Sequence, residues 1–173
     1  MTRGFSLFAV LAMGVVLFLS SNFAGAGDTS PRPWHLPQTD AEKALAAVLR
    51  LSEKDQNLLE FVLRTPFYKA KSDKGYARFF TKRLLSDMAA MERATVKENC
   101  RGKYVPGELC GTDHNPLTCA QDEMRGTLFD TRSQDASHAL IVSRWPAEKK
   151  IAAQYELVRV DGMWKLDRVR CGP

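Results

Sequence analysis

The sequence predicts an α+β domain in which N-terminal helices pack on one face of a curved four-stranded antiparallel sheet. Two patterns lead to this prediction. Apolar residues recur at helical spacing before Cys100, whereas apolar and polar residues alternate after residue 123. Between two alternating runs stands Asp161-Gly162, a dipeptide that strongly indicates a two-residue β-hairpin. Helices followed by a meander of strands are the chain order of an α+β cone or roll.

The first 26 residues have the pattern of a secretory signal peptide. Arg3 supplies a positive start, residues 7–19 are uncharged and apolar, and Ala24-Gly25-Ala26 is a small-x-small cleavage site. An uncleaved N-terminal anchor is the alternative, but the run is short for a membrane span and no later stretch is long enough for one. We therefore predict cleavage after Ala26 and a mature chain, without a membrane span, in the periplasm or outside the cell.

Removing this segment from the 173-residue chain leaves about 147 residues, the size of one domain. We predict a Pro-rich leader over 27–38, attached to the body by Trp34, and a single α+β domain over 39–173. A partner-binding role is the alternative for Trp34. The complete chain has a formal net charge of +5, but its basic residues are scattered. This pattern is typical of an ordinary solvated surface, with an anionic partner as the alternative. Nucleic acid is not expected, because an exported chain without a basic, aromatic-interleaved platform is a poor binder of it.

Three helices are predicted from their capping residues and apolar spacing. Thr39 or Asp40 caps the first, Ser52–Asp55 resembles a capping box for the second, and Thr81 caps the third. Pro66 should end or kink the second helix. The positions expected to face inward are Leu45, Val48, Leu49, Leu58, Leu59, Val62, Leu63, Leu84, Leu85, Met88 and Met91.

The four cysteines lie in the predicted mature chain. An even number in an oxidising compartment indicates two disulfides, for which three pairings are possible. No C-x-x-C motif occurs, so neither a thioredoxin-like redox pair nor a zinc knuckle is indicated. We predict Cys100–Cys110, which closes a local loop, and Cys119–Cys171, which ties the loop before the sheet to the last strand.

Four strands are predicted, over residues 124–132, 136–145, 150–160 and 163–171. In the register that the Asp161-Gly162 turn sets, Leu157 faces Leu166. Beyond Leu166 the apolar positions slip by one residue. A bulge near Asp167 or Arg168 explains this slip and would bend the sheet.

The most distinctive motif is the run from Asp113 to Asp122, DHNPLTCAQD. It resembles the D-x-[D/N]-P and A-Q-D pattern of a bacterial exported family known as domain of unknown function 3828. The Tyr76–Leu84 run and the closing Val160–Leu166 run are also similar to that family, so the resemblance covers roughly residues 55–170. The resemblance implies a fold like the nuclear-transport-factor-two cone, in the cystatin-like class. It implies no activity, because the family is uncharacterised.

The polar residues of this motif have a structural interpretation and a functional one. Asp113 and Asn115 are expected to form Asx turns, and Gln121 and Asp122 to bond backbone groups where the loop leads into the first strand. The alternative is a polar cluster at the mouth of a cone, where it binds a small molecule or transfers protons. A metal site built from Asp113, His114 and Asp122 is not predicted, because nothing fixes the ligand spacing.

Three further residues are candidates for a binding or catalytic site. His138 begins the second strand, and a structural role is preferred over that of a base. Convergence of Asp122, His138 and Tyr155 on one deep pocket would indicate an enzyme, whereas Trp164 lining a shallow pocket would argue against one. Neither a G-x-S-x-G motif nor a glycine-rich phosphate loop occurs.

These observations favour an exported, non-catalytic binding domain. Its ligand would be an unknown envelope or extracellular protein, or a small molecule, held by the open sheet face or the cone. The alternatives are a small cone-fold hydrolase or isomerase that uses polar residues in the cone, and a secreted host-directed factor. No cofactor or metal is predicted.

Overall fold

The computed structural model describes residues 33–65, 67, 75–122 and 126–172. The predicted signal peptide, the first part of the leader, Pro66 and most of the polar stretch after it lie outside the described residues. The helices are α1 (Asp40–Lys54), α2 (Gln56–Leu59), which continues into a π-helical turn (Glu60–Arg64), a 3-10 turn (Tyr76–Phe79) and α3 (Lys82–Cys100). The strands are β1 (Leu128–Gln134), β2 (His138–Arg144), β3 (Ala153–Val160) and β4 (Met163–Cys171), and they form one antiparallel sheet in chain order. The predicted α+β class is confirmed.

The first helix begins with a capping box. The Thr39 hydroxyl accepts from the Glu42 amide at 3.2 Å, and the Glu42 carboxylate accepts from the Thr39 amide at 3.1 Å. The capping box predicted at Ser52–Asp55 is wrong. Because α1 continues to Lys54, Ser52 lies inside the helix, and its hydroxyl donates to a carbonyl of the preceding turn at 2.8 Å. Asp55 alone caps α2.

The start of α3 is fixed to β4. Thr81 caps the helix as predicted, since its hydroxyl oxygen accepts from the Leu84 amide at 3.1 Å. The same hydroxyl donates to Asp167 at 2.7 Å, and the Thr81 amide donates to the Leu166 carbonyl at 3.0 Å. Arg83 adds an ion pair to Asp167 at 3.0 Å. These contacts fix the start of α3 at one position along β4.

The hairpin between β3 and β4 has the predicted register. Asp161 and Gly162 both have positive φ, 52° and 79°, as a type I′ turn requires. Leu157 pairs with Leu166, but Glu156 pairs with Arg168, so that Asp167 is the extra residue of a bulge and the predicted bulge is confirmed.

The other edge strand, β1, also carries a bulge. Thr131 pairs with Ile141 and Ser133 with Leu140, which leaves Arg132 as the extra residue. This strand begins at Leu128 and continues past the predicted end. Both edge strands are therefore interrupted by one residue, and each bulge reverses the alternation of the side chains that follow it.

The core lies between the helices and one face of the sheet, which we call the inner face. Tyr155 and Trp164 both belong to it, the first 1% exposed and the second partly buried against the core. The inner-face residues that pack with the helices are Phe129, Ala139, Ile141, Ala153, Tyr155, Leu157 and Leu166. This alternation of buried and exposed positions is that of an antiparallel sheet with one covered face.

Both predicted disulfides are present. Cys100 and Cys110 have their Cα atoms 5.3 Å apart, and Cys119 and Cys171 have theirs 5.4 Å apart. The first bond closes the loop that follows α3. The second ties the Asp113–Asp122 loop to the end of β4, so that it joins segments 52 residues apart in sequence.

A buried ion pair joins the π-helical turn to α3. Glu92 is fully buried and pairs with Arg64, and its second oxygen accepts from the Thr112 amide at 2.9 Å. The Arg64 guanidinium also lies 4.7 Å from the centre of the Tyr104 ring. Gly111 leaves room for this pair, because a Cβ atom at that position would overlap both the carboxylate and the guanidinium.

We therefore expect Gly111→Ala to lower the free energy of unfolding by about 3 kcal/mol, since it forces apart a buried charge pair. Gly107→Ala is the control. Gly107 has a positive φ of 90° but open space at its Cβ position, so only backbone strain of about 1 kcal/mol is expected there. Urea unfolding of both variants measures the difference. Equal losses would contradict the crowding of Gly111 by the ion pair.

Candidate functional site

Asn115 organises the Asp113–Asp122 loop. Its side-chain oxygen accepts from the amides of Leu117 at 2.9 Å and Thr118 at 3.3 Å, which is the predicted Asx turn. Its side-chain nitrogen donates to the Ser52 hydroxyl at 3.0 Å, and its backbone amide donates to the Ala120 carbonyl at 2.9 Å. Asn115 thus holds the loop against α1, and the structural interpretation of this residue is confirmed.

Tyr155 holds the same loop from the sheet side. Its hydroxyl donates to the Leu117 carbonyl at 3.1 Å and accepts from Ser143 at 3.5 Å. Burial raises the pKa of Tyr155 to about 12, helped by the charge of Glu53 and opposed by the Ser143 hydrogen bond. The phenol is therefore neutral near pH 7 and serves as a buried anchor.

The polar residues at the two ends of the motif lie at the surface. Asp113 is 65% exposed in its side chain and lies 3.2 Å from a ring nitrogen of His114. This hydrogen bond, and then the backbone of Asp113 itself, lower the pKa of the carboxyl group. Gln121 and Asp122 are also exposed. The motif therefore divides into a part-buried fastening at Asn115 and exposed polar residues at its two ends.

The structure does not bring Asp122, His138 and Tyr155 together. His138 pairs with Val158, and this register directs it to the face opposite Tyr155. Its side chain is 69% exposed, with Nδ1 2.9 Å from the Ser137 hydroxyl.

The described residues offer little for a metal ion. Cys100, Glu108 and Cys110 have potential ligand atoms within 4.8 Å of one another. Both sulfurs are joined in a disulfide, however, and a disulfide lacks the thiolate that binds metals.

A cavity of about 200 Å³ lies between the leader, α1 and the start of β1. None of the residues predicted for a site lines it. Its lining residues are Leu36, Pro37, Ala46, Leu49, Arg50, Glu53, Gly126, Thr127 and Phe129. The space between the helices and the inner sheet face, where a cone would hold a ligand, is occupied by large buried side chains such as Tyr155 and Leu157.

The face of the sheet opposite the core carries most of the strand charges. We call it the outer face. By register it presents Leu128, Asp130, Arg132, Ser133, His138, Leu140, Val142, Arg144, Gln154, Glu156, Val158, Val160, Met163, Lys165, Arg168 and Arg170. These include five cationic side chains and two carboxylates, so three positive charges are in excess with His138 neutral. On the two central strands the half-buried apolar side chains of Leu140 and Val158 lie among polar and charged ones, and arginines lie on both edge strands.

Both carboxylates of the outer face pair with arginines. Glu156 accepts from Arg168 at 3.1 Å and lies 3.6 Å from Arg170, so one carboxylate serves two guanidinium groups. Arg170 is 56% exposed and Arg168 34% exposed in their side chains. On β1, Asp130 pairs with Arg132 at 3.3 Å, and Arg132 is 47% exposed. Much of the guanidinium surface of these arginines therefore faces solvent.

Arg144 completes the outer face beside the leader. Its guanidinium lies 4.9 Å from the centre of the Trp34 ring and donates to the Glu148 carbonyl at 3.3 Å. Within the described ranges no carboxylate lies at ion-pair distance from it. Trp34, which was predicted to attach the leader to the body, thus contacts the outer face.

The leader is fixed to the edge of β1 beside this contact. His35 and Phe129 exchange two backbone hydrogen bonds, of 3.1 and 2.8 Å. Behind them the fully buried Glu42 accepts from the Thr131 hydroxyl at 2.6 Å and from the Gln38 amide at 2.8 Å. Burial raises the pKa of Glu42, but these hydrogen bonds and the nearby His35 outweigh it, so the pKa lies below its ordinary value.

Comparison with protein-family models, with curated proteins and with solved structures gives no match for this chain. Among the described residues, none of the helices combines the length and the apolar character that crossing a bilayer requires.

The division of the motif can be tested by alanine substitution. Asn115→Ala should lower the free energy of unfolding by about 1–3 kcal/mol, because several backbone and side-chain partners lose their bonds. Asp113→Ala and Asp122→Ala should leave it close to that of the wild type, because both carboxylates are exposed. Thermal and urea unfolding compare the three variants. A stable Asn115→Ala variant would contradict the fastening role.

Attachment of the leader should depend on pH. Because the folded state lowers the pKa of Glu42, its contribution to stability is complete above the unfolded pKa near 4.5 and is lost as the pH falls through the lower folded value. Glu42→Gln should lower the free energy of unfolding at pH 7 by about 1–3 kcal/mol, because the new side-chain amide group would face hydrogen-bond donors. As the pH falls below about 4.5, the variant should lose stability less steeply than the wild type. The exposed Glu98→Gln serves as control. If Glu42→Gln and the wild type lost stability equally at acid pH, this role of Glu42 would be contradicted.

Proposed function

We propose that this chain is an exported, non-catalytic binding domain that contacts a partner protein through the outer face of its sheet. One observation carries the proposal. The outer face combines the half-buried apolar side chains of Leu140 on β2 and Val158 on β3 with arginines on both edge strands. Apolar surface flanked by arginine, with a tryptophan beside it, is the composition enriched in protein interfaces.

An oxidising compartment is supported by two features. Residues 1–26 have the pattern of a secretory signal peptide, and all four cysteines form disulfides, which persist outside the cytoplasm. The proposed location is the periplasm or the extracellular medium. A secreted, host-directed factor is a version of the same proposal in which the partner belongs to another organism.

The cone-like fold and membership of the family of domain of unknown function 3828 are part of this proposal. The bulges at Arg132 and Asp167 support a bent sheet, since a bulge bends its strand. The resemblance to that family rests on the Asp113–Asp122 motif and on the Tyr76–Leu84 and Val160–Leu166 runs.

The geometry gives less support to a small cone-fold hydrolase or isomerase. Tyr155 is buried and neutral, and His138 is on the other face of the sheet. A general base must lie within hydrogen-bond reach of a reacting group and titrate near the working pH. Tyr155 and His138 lie on opposite faces of the sheet and therefore do not form one site. No specific observation on the described residues favours the enzyme.

Site-specific photo-crosslinking tests the proposed surface. A photoreactive amino acid replaces Leu140 or Val158 on the outer face, and Leu109, which is 87% exposed in the loop after α3, provides the control. Irradiation of an envelope preparation of the producing cell with the purified chain should give protein adducts at 140 and 158 but not at 109. Equal adducts at all three positions, or adducts at 109 alone, would contradict the proposal.

A further inference from the structure

We infer that the segment seated on the outer face is an acidic amphipathic helix of the partner protein, an inference that rests on the proposed function. The width of the face fits one helix. Four strands spaced about 4.8 Å apart make a face about 14 Å wide, close to the 10–12 Å diameter of one helix with its side chains. A helix laid along β2 and β3 would cover Leu140 and Val158 and would have arginines on both flanks.

The charges of the outer face favour an acidic partner. Glu156 is shared between Arg168 and Arg170, so these two guanidinium groups retain donors for further acceptors. Arg132 on the opposite edge remains 47% exposed while it is paired. Carboxylates accept from such groups through two parallel hydrogen bonds, a geometry that a guanidinium fits better than an ammonium does. Carboxylates on both sides of an apolar stripe would therefore match the face.

The charges and apolar side chains of the outer face argue against two other occupants, a second copy of the chain and an anionic lipid surface. A second copy of the chain would oppose one positively charged face with another, which is unfavourable. An anionic lipid surface would satisfy the arginines, but a flat layer of headgroups offers no stripe to cover the half-buried apolar side chains of Leu140 and Val158. An acidic amphipathic helix satisfies both features of the face.

The test measures the adduct formed at position 140 when charge is removed. Arg168→Gln with Arg170→Gln should reduce its yield roughly fivefold at about 50 mM salt, and about 500 mM salt should reduce the wild-type yield similarly. Arg93→Gln with Lys97→Gln removes the same charge from exposed positions on α3 and should leave the yield unchanged. Both double variants must have the same thermal unfolding curve as the wild type. If the curve of Arg168→Gln with Arg170→Gln differs, the single variant Arg132→Gln is used in its place.

Mass spectrometry of the cross-linked peptide completes the test. A peptide with a net negative charge and apolar residues at helical spacing is the expected result. An adduct that forms at 140 but ignores salt and the arginine substitutions, or that contains a basic peptide, overturns this inference and leaves the binding surface in place. An adduct to this chain itself also overturns it. So does arginine-dependent co-sedimentation with phosphatidylglycerol vesicles in the absence of a protein adduct. Absence of any adduct at 140 and 158 removes the binding surface as well.

Discussion

The bulge at Asp167 determines which side chains of β4 face the core. In an uninterrupted strand, residues 166, 168 and 170 would share one face, and two arginines would point toward the helices at a large desolvation cost. The extra residue reverses the alternation, so that Leu166 and Val169 pack inward while Arg168 and Arg170 point outward. The Asp167 side chain also bonds Thr81, which fixes α3 to the strand at the same point.

The helical layer and the motif loop hold the inner face closed. Asn115 fastens the loop to α1, and the Tyr155 hydroxyl fastens it to β3. The Cys119–Cys171 disulfide joins it to β4. These contacts use the most distinctive part of the sequence to join helices and sheet. They leave the outer face, with its arginines and the half-buried Leu140 and Val158, as the surface on which the proposed partner would bind.

The sequence predicted the features that depend on neighbouring residues. The Asp161-Gly162 turn, the slip after Leu166 and the Thr81 cap are local signals, and each was confirmed. The Ser52–Asp55 capping box failed because a short motif does not reveal that α1 continues through it. The Glu42–Thr131 hydrogen bond joins residues 89 positions apart, which no local pattern indicates. The outer-face arginines looked scattered in sequence because only strand pairing brings them together.

Arginine-specific chemical labelling tests the central claim, that the outer face is the binding surface, most directly. The purified mature chain and the chain in its native compartment are labelled under the same conditions, and modification of Arg132, Arg168 and Arg170 is compared with that of Arg93 on α3. The account predicts that the three outer-face arginines react in the purified chain and are protected in the native compartment, while Arg93 reacts equally in both. Equal modification of all four residues in both samples would contradict it.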